Sequence, residues 1–260
     1  MVKRARSLRL RKNRDKHGAY LVEGIRAVRE ACANEAPIEV LLVAPELLRS
    51  DPAWELVHRQ AGRGLPCKQL SSGAFKALSE RDQPTGLAAI VRSSLGQLND
   101  LTSSHDAIFV ALEGASGPGN LGTIVRTADS VGAAGVILVG ATADPYDPAA
   151  LRASMGSVFA VPLARAAGLE ETLAWAGDRG LQLVTTSAHA EPEHWSQPYR
   201  LPLLLVLGSE ARGLSARALG RGDLAVRIPM RGGASSLNLA VAAGILLYEI
   251  RRRTSTGGGQ

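Results

Sequence analysis

Short, wholly apolar segments, each followed by a turn and a helical pattern, constrain the fold of this chain most. Three of them, Ile108–Leu112, Val136–Val139 and Leu203–Leu207, contain no polar residue. A strand that is apolar on both faces is buried on both faces, which is typical of a parallel sheet covered by helices. The sequence therefore predicts an α/β fold with a mainly parallel sheet.

The alternation of strands and helices occurs in two blocks. The first predicts a small α/β domain over residues 17–92, and the second predicts a larger domain over 107–253. The larger domain ends in a long helix, Leu237–Arg253, which we expect to be buried because almost every face of it is apolar. The polar residues 93–106 predict a linker, and residues 254–260 predict a polar tail.

Positive charge is concentrated at the N-terminus. The chain has a formal net charge of +6. Residues 1–16 contain eight lysines and arginines against one aspartate, so this segment carries +7 and the rest of the chain carries −1. We predict a nearly neutral globular protein with a basic arm, which favours a polyanionic partner. A solvated tail is the alternative interpretation of such a charge run.

Several classes of protein do not fit the sequence. The longest apolar runs, Val131–Ala141 and Leu239–Tyr248, are too short to cross a bilayer, and no apolar segment follows the charged N-terminus as in a secretory signal. An arginine-rich transit peptide stays open as an alternative. Cys32 and Cys67 form no disulfide framework, and no cysteine and histidine cluster has zinc spacing. We therefore expect a cytoplasmic protein without a metal ion.

The first motif is Gly-Pro-Gly-Asn-Leu-Gly over residues 117–122, between a predicted strand and a predicted helix. Its glycine spacing, with Asp144 further along the chain, matches the dinucleotide-binding fingerprint, in which backbone amides approach a ligand at a helix N-terminus. Two residues argue against this interpretation. Pro118 lacks an N–H donor, and Arg126 has no role in the fingerprint. A tight structural turn is the simpler interpretation.

The second motif, residues 207–214, directly follows the apolar strand Leu203–Leu207. It contains Glu210 and two glycines, Gly208 and Gly213. Open α/β sheets bind ligands at the carboxyl ends of their strands. Taken alone, the segment fits a ligand-binding loop and an ordinary strand-to-helix turn equally well.

The third motif joins Ile228–Met230 to a glycine-containing loop and then to Ser235, Ser236 and Asn238 at the start of the long apolar helix. Serine and asparagine are common helix caps. One cap suffices, however, and polar groups at a buried helix start need partners. The cluster therefore favours a cap and a ligand contact together.

These three motifs, in this order and at this spacing, resemble those of the SpoU/TrmH group of RNA ribose 2′-O-methyltransferases in the SPOUT superfamily. The matching segments are 120–128, 207–215 and 228–243, and Arg152–Phe159 is similar to a segment between them. Residues 17–92 are similar to the L30e-like RNA-binding domain that often precedes this catalytic domain. Gly117 departs from the pattern, because family members often carry aspartate there.

The resemblance implies a trefoil knot in the C-terminal part of the α/β sheet, a homodimer, and S-adenosylmethionine (AdoMet) bound in the knot. Periodicity alone would not predict a knot, since knots are rare. Glycine and apolar residues suit such a cofactor site, because the backbone has to come close and adenine needs a flat apolar slot. Carried over by position, the cofactor residues are Thr185, Thr186, Ser187, Leu207, Gly208, Ile228, Met230 and Leu237.

The implied reaction moves a methyl group from a sulfonium to a ribose 2′-hydroxyl. The enzyme has to align the hydroxyl and help to remove its proton. Because a guanidinium stays protonated in nearly all settings, we expect Arg126 to hold a phosphate and stabilise negative charge rather than act as the base. We expect Glu210 to hold Arg126 or a loop of the other subunit. The catalytic set implied by the resemblance is Asn120, Arg126, Glu210, Ser236 and Asn238.

An RNA substrate would give the basic arm its partner. No aromatic residue is interleaved with the cations of the arm, so we expect contacts to phosphates rather than stacking on bases. The predicted RNA-binding residues are Lys3, Arg4, Arg6, Arg9, Arg11, Lys12, Arg14 and Lys16.

The predicted function is AdoMet-dependent 2′-O-methylation of RNA. We expect 23S-type ribosomal RNA as the substrate, because the small domain resembles those used on folded ribosomal RNA. Transfer RNA is the alternative substrate within the class. A non-catalytic RNA-binding protein and an NAD-dependent oxidoreductase are the alternatives from other classes.

Overall fold

The computed structural model describes residues 1–255, which form two compact units. Unit 1 comprises Met1–Ser94 and Tyr146–Ala160, and unit 2 comprises Leu95–Pro145 and the chain from Val161 onwards. The helices and strands, in chain order, are α1 (Val2–Ser7), α2 (Arg11–His17), β1 (Ala19–Glu23), α3 (Ile25–Ala33), β2 (Ile38–Val43), α4 (Asp51–Gly62), β3 (Cys67–Gln69), α5 (Ser72–Leu78), β4 (Leu87–Arg92), β5 (Gly96–Gln97), β6 (Ile108–Glu113), α6 (Pro118–Ser130), β7 (Gly135–Val139), α7 (Pro148–Ser154), β8 (Leu163–Ala166), α8 (Leu169–Asp178), β9 (Gln182–Thr186), β10 (Leu203–Leu207), α9 (Ala216–Leu219), β11 (Leu224–Val226) and α10 (Leu239–Ser255).

Unit 1 is built on a four-stranded sheet with the strand order β1-β4-β2-β3. β4 runs antiparallel to both β1 and β2, and β3 runs parallel to β2. Phe75 and Leu78 of α5 are fully buried in the core against Ile90 of β4 and its neighbours, so the amphipathic helices cover the sheet.

The basic segment is part of folded unit 1 rather than an arm. It forms α1 and α2, and Ala5 and Leu8 are buried in the core of this unit. Arg14 is only 5% exposed, and its guanidinium donates to the carbonyl oxygens of Leu8 at 3.0 Å and Arg9 at 2.6 Å. It also lies 3.6 Å from the carboxylate of Asp147. Arg14 therefore contributes to the interior of the protein and is not placed to contact RNA.

The predicted linker, residues 93–106, is also ordered structure. Within it, Leu98 and Leu101 enter the core of unit 2 through a 3₁₀ turn. The segment Tyr146–Ala160, which we had assigned to the catalytic domain, folds with unit 1. The rings of Tyr20 and Tyr146 stack there at a centroid distance of 4.1 Å. The chain therefore leaves unit 2 and returns to it, which a linear division of the sequence does not predict.

Unit 2 contains a seven-stranded sheet with the order β11-β9-β10-β6-β7-β8-β5. Every pairing in it is parallel, which confirms the α/β prediction. β10 and β6 pair in the centre, where Leu203 faces Ile108 and Leu207 faces Leu112. Both strands are buried along their whole apolar length. The strand order does not itself test the knot, which stays a prediction.

The long helix α10 is buried on only one face. Ala243, Leu247 and Ile250 are fully buried, whereas Val241 is 51% and Tyr248 57% exposed. The buried face packs against α6, β10 and the 3₁₀ turn at residues 194–196, and the opposite face is exposed in the described part of the chain. The expectation of a fully buried helix is therefore wrong. The predicted tail begins inside this helix, and residues 256–260 lie outside the described part of the chain.

The last turns of α10 carry a charged cluster. Arg252 and Arg253 donate to the carboxylate of Glu249, about one turn earlier, at 2.7 Å each. These bonds lower the pKa of Glu249 to about 2. Glu249 is therefore ionised at any physiological pH and ties the end of the helix to its own penultimate turn.

None of the helices in residues 1–255 is both long and apolar enough to cross a membrane. Within the same residues, no group of three or more histidine, cysteine, aspartate or glutamate residues lies close enough together to hold a metal ion.

Candidate functional site

A cavity of about 580 Å³ lies in unit 2 at the carboxyl ends of three neighbouring strands. Thr186 ends β9, Leu207 ends β10 and Val226 ends β11, and all three line the cavity. Because the strands are parallel, their carboxyl ends meet at one edge of the sheet, which is where open α/β sheets bind ligands. The volume falls within the range of ordinary cofactor sites.

The cavity brings together most of the predicted cofactor residues. Those that line it are Thr186, Ser187, Leu207, Gly208, Ile228, Met230 and Leu237. Thr185 does not line it. Its side chain is completely buried inside β9, and its hydroxyl donates to the carbonyl oxygen of Leu224 at 3.3 Å. Thr185 therefore fixes β9 against β11, and the prediction that it contacts the cofactor is not supported by its position.

Several lining residues were not among the predicted cofactor residues. Leu239, Ala242 and Leu246 line the cavity from α10, and Leu219 lines it from α9. The three residues of α10 are spaced i, i+3, i+7, so they share one face of the helix. This periodicity was available in the sequence, but it does not say which cavity the face would meet.

The second motif forms a tight loop in which Gly208 has no room for a side chain. A Cβ atom on Gly208 would lie 2.2 Å from the carbonyl carbon of Gly213. The N–H of Gly213 donates to the carbonyl oxygen of Ser209 at 2.9 Å, which closes the loop. The glycine is therefore required because the loop folds back on its own backbone next to the cavity.

A chain of hydrogen bonds joins the three motifs. The side-chain amide of Asn120 donates to Glu210 Oε1 at 2.8 Å, and the amide of Asn238 donates to Asn120 Oδ1 at 3.0 Å. Asn238 Oδ1 then accepts from the backbone N–H of Ala240 at 2.9 Å and so caps α10. The parallel pairing of β6 with β10 makes this possible, because the loops after the two strands are neighbours.

The carboxylate of Glu210 sets the orientation of both amides. An ionised carboxylate only accepts hydrogen bonds, so Asn120 has to present its NH₂ group to Glu210 and its oxygen to Asn238. Asn238 in turn has to donate to Asn120 and present its own oxygen to the helix. One charge therefore fixes two side chains that could otherwise flip.

Arg126 and Ser236 are exposed residues that lie close in sequence to Asn120 and Asn238, respectively. Arg126 lies on α6, six residues after Asn120, and no acidic residue in the described chain pairs with it. Glu210 bonds Asn120 and not Arg126, so that part of the expectation for Glu210 is wrong. Ser236 lines the cavity. Arg212 lines the cavity and, like Arg126 outside it, forms no ion pair in residues 1–255. The region thus offers unpaired cations and several neutral hydrogen-bonding groups.

The dinucleotide interpretation of the first motif does not match the structure. Pro118 begins α6, and none of residues 117–122 lines the cavity. Gly122 is buried inside the helix. The glycines therefore have a structural role: they lie at the start of α6, and Gly122 allows the helix to pack closely. This agrees with the simpler, structural interpretation of the motif.

Comparisons with known protein families agree with this geometry. The SpoU rRNA Methylase family matches residues 107–248, and the MRM3-like substrate binding domain matches residues 1–89. The second match includes the two basic helices, in agreement with their place in unit 1.

Similar proteins span nearly the whole chain. The 23S rRNA (uridine(2479)-2′-O)-methyltransferase of Streptomyces viridochromogenes is 33% identical over 95% of this chain and 87% of its own length. The 23S rRNA (guanosine(2553)-2′-O)-methyltransferase of Bacillus subtilis is 30% identical over 96% of this chain and 95% of its own. The crystal structure of an AdoMet-bound rRNA methyltransferase from Sinorhizobium meliloti has a TM-score of 0.88 and 36% identity, and the match covers 96% of this chain and 94% of that one.

We predict that Gly208→Ala destabilises the protein by about 1–3 kcal/mol, the usual cost of overpacking, because the added methyl meets backbone atoms that cannot move aside. Gly119→Ala is the matched control. It makes the same change at a helical position where the methyl meets open space, so it should be neutral or stabilise by up to about 1 kcal/mol. Urea unfolding of both variants measures the difference. Equal stabilities would show that the loop is not as tight as described.

Proposed function

The chain belongs to the SpoU rRNA methylase family, and we propose that it transfers a methyl group from AdoMet to a ribose 2′-hydroxyl of 23S-type ribosomal RNA. The proposal rests on one observation: Asn120 hydrogen-bonds both Glu210 and Asn238 beside a cavity of cofactor size. The names of the relatives from Streptomyces viridochromogenes and Bacillus subtilis favour ribosomal RNA over transfer RNA.

The residues of the cavity fit AdoMet. Leu207, Ile228 and Leu246 offer apolar surface for an adenine, and Ser187 and Ser236 offer hydroxyl groups for the polar methionine part. At Gly208, where a side chain has no room, the backbone itself lies next to the cavity. When bound, AdoMet supplies a methyl group already activated on a positively charged sulfur, so the chain has to provide orientation and charge stabilisation.

We assign to Arg126 the binding of the RNA phosphate next to the reacting ribose. Its guanidinium is exposed and has no acidic partner in residues 1–255, so it is available for two parallel bonds to a phosphate. A fixed positive charge there also stabilises the negative charge that develops on the 2′ oxygen as its proton leaves. The arginine therefore acts as a clamp and an electrostatic stabiliser and not as a base.

Glu210, Asn120 and Asn238 hold the site in one arrangement. Their hydrogen bonds tie the start of α6, the loop after β10 and the start of α10 to each other. A ribose hydroxyl has to be aligned within a fraction of an ångström for transfer, and such a network provides that rigidity. Ser236, on the cavity wall, is placed to hydrogen-bond the cofactor or the ribose.

Part of the basic segment in unit 1 provides the general attraction for RNA. Arg4 pairs with Glu39 at 2.7 Å, Arg9 lies 3.8 Å from Glu80, and Arg11 lies 3.8 Å from Asp15. Four exposed cations of α1 and α2 form no ion pair in the described chain. We assign the phosphate contacts to these four, which are Lys3, Arg6, Lys12 and Lys16.

The exposed face of α10 supports a homodimer. Val241, Ile245 and Tyr248 follow the spacing i, i+4, i+7 and form one apolar stripe on the surface. Apolar stripes of this kind mark interfaces. The helix begins next to Asn238, so a second copy bound here would lie beside the catalytic network. Since the relatives act on ribosomal RNA, we further propose that the protein acts in the cytoplasm.

Arg126→Ala should lower the methyl-transfer rate by about 10²–10³-fold, the usual effect of removing one aligned electrostatic group, while AdoMet affinity stays within about twofold. Arg200→Ala is the control, since it removes another exposed arginine of unit 2 that lies outside the cavity. Incorporation of tritiated methyl into 23S ribosomal RNA and calorimetry with AdoMet give the two readouts. A rate near that of the wild type would refute the assignment of Arg126.

Replacing Lys3, Arg6, Lys12 and Lys16 by alanine should weaken RNA binding and reduce the slope of log K against log salt by about three, since each phosphate contact contributes about 0.7–0.9. Alanine substitutions are preferred to deletion of residues 1–16, which would remove Ala5 and Leu8 from the core. Exchanging lysine and arginine at the same four positions keeps the charge and should keep the slope. An unchanged slope in the alanine variant would place the phosphate contacts elsewhere.

Ile245→Asp should convert the dimer to a monomer, because a carboxylate buried in an apolar interface loses its hydration. Leu10→Asp is the control, as it introduces the same charge at an exposed leucine of unit 1. Light scattering after size exclusion measures the mass. A monomeric wild type would refute the dimer, and a dimeric Ile245→Asp variant would place the interface on another face.

A further inference from the structure

Unit 1 contains a second cavity, of about 310 Å³, that no step of the methyl transfer uses. It is enclosed by the turn between α1 and α2, by β1 and α3, by the loop after α5 and by the segment Tyr146–Ala160. All of these belong to one compact unit. Its volume is near the lower end for small-molecule sites, which suits a ligand the size of one nucleotide.

The interior of this cavity is apolar. Leu8, Val22 and Leu78 are buried side chains on its wall, and Tyr146 contributes the only tyrosine ring among the lining residues. Tyr146 is held in place by its stacking on Tyr20 and by the hydrogen bond that its hydroxyl accepts from the N–H of Ser94 at 3.1 Å. Aliphatic side chains beside a fixed aromatic ring are surroundings that suit a planar aromatic ligand.

The mouth of the cavity is cationic. Four arginines line it, Arg9, Arg26, Arg81 and Arg152, against two carboxylates, Glu23 and Glu80. Glu80 lies 3.8 Å from Arg9 and 3.6 Å from Arg152, so one carboxylate is shared between two cations. No acidic residue in the described chain pairs with Arg26. The mouth therefore keeps a net positive charge that only an anionic ligand would balance.

The side chain of Arg81 is held in a fixed position at the mouth of the cavity. A Cβ atom on Gly24 would lie 3.0 Å from one terminal nitrogen of Arg81 and 3.2 Å from its central guanidinium carbon, so the group lies directly on the glycine backbone. It also donates to the carbonyl oxygen of Glu23 at 3.4 Å. The Glu23 carboxylate in turn accepts from the hydroxyl of Ser79 and from the N–H of Glu80. The guanidinium is therefore positioned before any ligand arrives.

We propose that this cavity receives one unstacked base of the RNA substrate, while the arginines at its mouth contact the adjacent phosphates. The inference rests on the proposed function, since it needs an RNA substrate. Proteins that recognise RNA by sequence commonly take single-stranded bases into apolar or aromatic slots and use arginine for the backbone. An apolar interior with a cationic mouth combines both requirements.

The distribution of charge favours RNA over a free nucleotide as the source of this base. Unit 1 contains 18 lysines and arginines against 11 aspartates and glutamates, a net charge of +7, whereas unit 2 carries −1. Arg9 belongs both to the mouth of the cavity and to the basic segment that bears Lys12 and Lys16. A polyanion can use all of these cations, whereas a free mononucleotide reaches only the mouth.

The test fills the cavity without changing its charge. Ala27 of α3 lines the cavity, and Ala27→Phe should raise the Kd for a 23S ribosomal RNA transcript and the KM for methylation by about tenfold or more, with kcat at saturating RNA nearly unchanged. Ala33→Phe, an exposed position at the end of the same helix, should leave both constants within about twofold. Calorimetry with AdoMet and thermal unfolding confirm that both variants are folded.

A second pair of variants tests the mouth. Arg26→Ala should weaken binding of the transcript, whereas Arg29→Ala, exposed on the same helix outside the cavity, should not. Photocrosslinking of a 4-thiouridine-substituted transcript should label the peptide that contains Tyr146, Met155 or Phe159. Wild-type Kd and KM in Ala27→Phe, or crosslinks confined to other peptides, would overturn the proposal.

Two further outcomes would separate this proposal from its alternatives. Tight binding of UMP or GMP that Ala27→Phe abolishes, with an unchanged Kd for the transcript, would identify a site for free nucleotides and overturn the assignment to RNA. If the wild-type enzyme binds the transcript but does not methylate ribosomal RNA, the proposed function fails, and the comparison of Kd values between Ala27→Phe and Ala33→Phe still decides whether the cavity binds RNA.

Discussion

The parallel pairing of β6 with β10 is the constraint on which the catalytic part of the molecule depends. The two strands are wholly apolar and come from segments about ninety residues apart, with Leu203 opposite Ile108. Their alignment makes the loops that follow them neighbours, and only then can Asn120 reach Glu210. The burial of the two strands in the centre of the sheet therefore brings together two residues that are far apart along the chain.

The sequence predicts much of this arrangement because its main features are periodic. Apolar runs locate the central strands, and the motifs place polar residues at the carboxyl ends of those strands. What the sequence does not predict is which polar residue meets which. Glu210 was expected to hold Arg126, but it bonds the amide of Asn120. A one-dimensional pattern does not give the distance between side chains on two loops, and Arg126, six residues along α6 from Asn120, forms no ion pair with Glu210.

The errors in the N-terminal part have a different physical origin. Val2, Ala5 and Leu8 are spaced three residues apart, which is a helical signal, yet seven exposed or partly exposed cations around them give the segment the composition of a solvated arm. Burial is decided by the few apolar residues on one face and not by the average. In the same way, Leu98 and Leu101 anchor a segment that is otherwise polar enough for a linker.

The two units differ in charge and in the part of the reaction that each can serve. Unit 2 is nearly neutral and holds an ordered network with the unpaired Arg126 nearby on α6, so its specificity for a ribose hydroxyl has to come from geometry. Unit 1 carries the positive charge and a preformed cavity, so affinity and the choice of nucleotide are functions that it can supply. The charge of +7 on unit 1 would by itself bind any RNA. An apolar slot adds discrimination, because only a base that can leave its stack at low cost can enter it, and such bases occur in loops and bulges of folded RNA rather than in its helices.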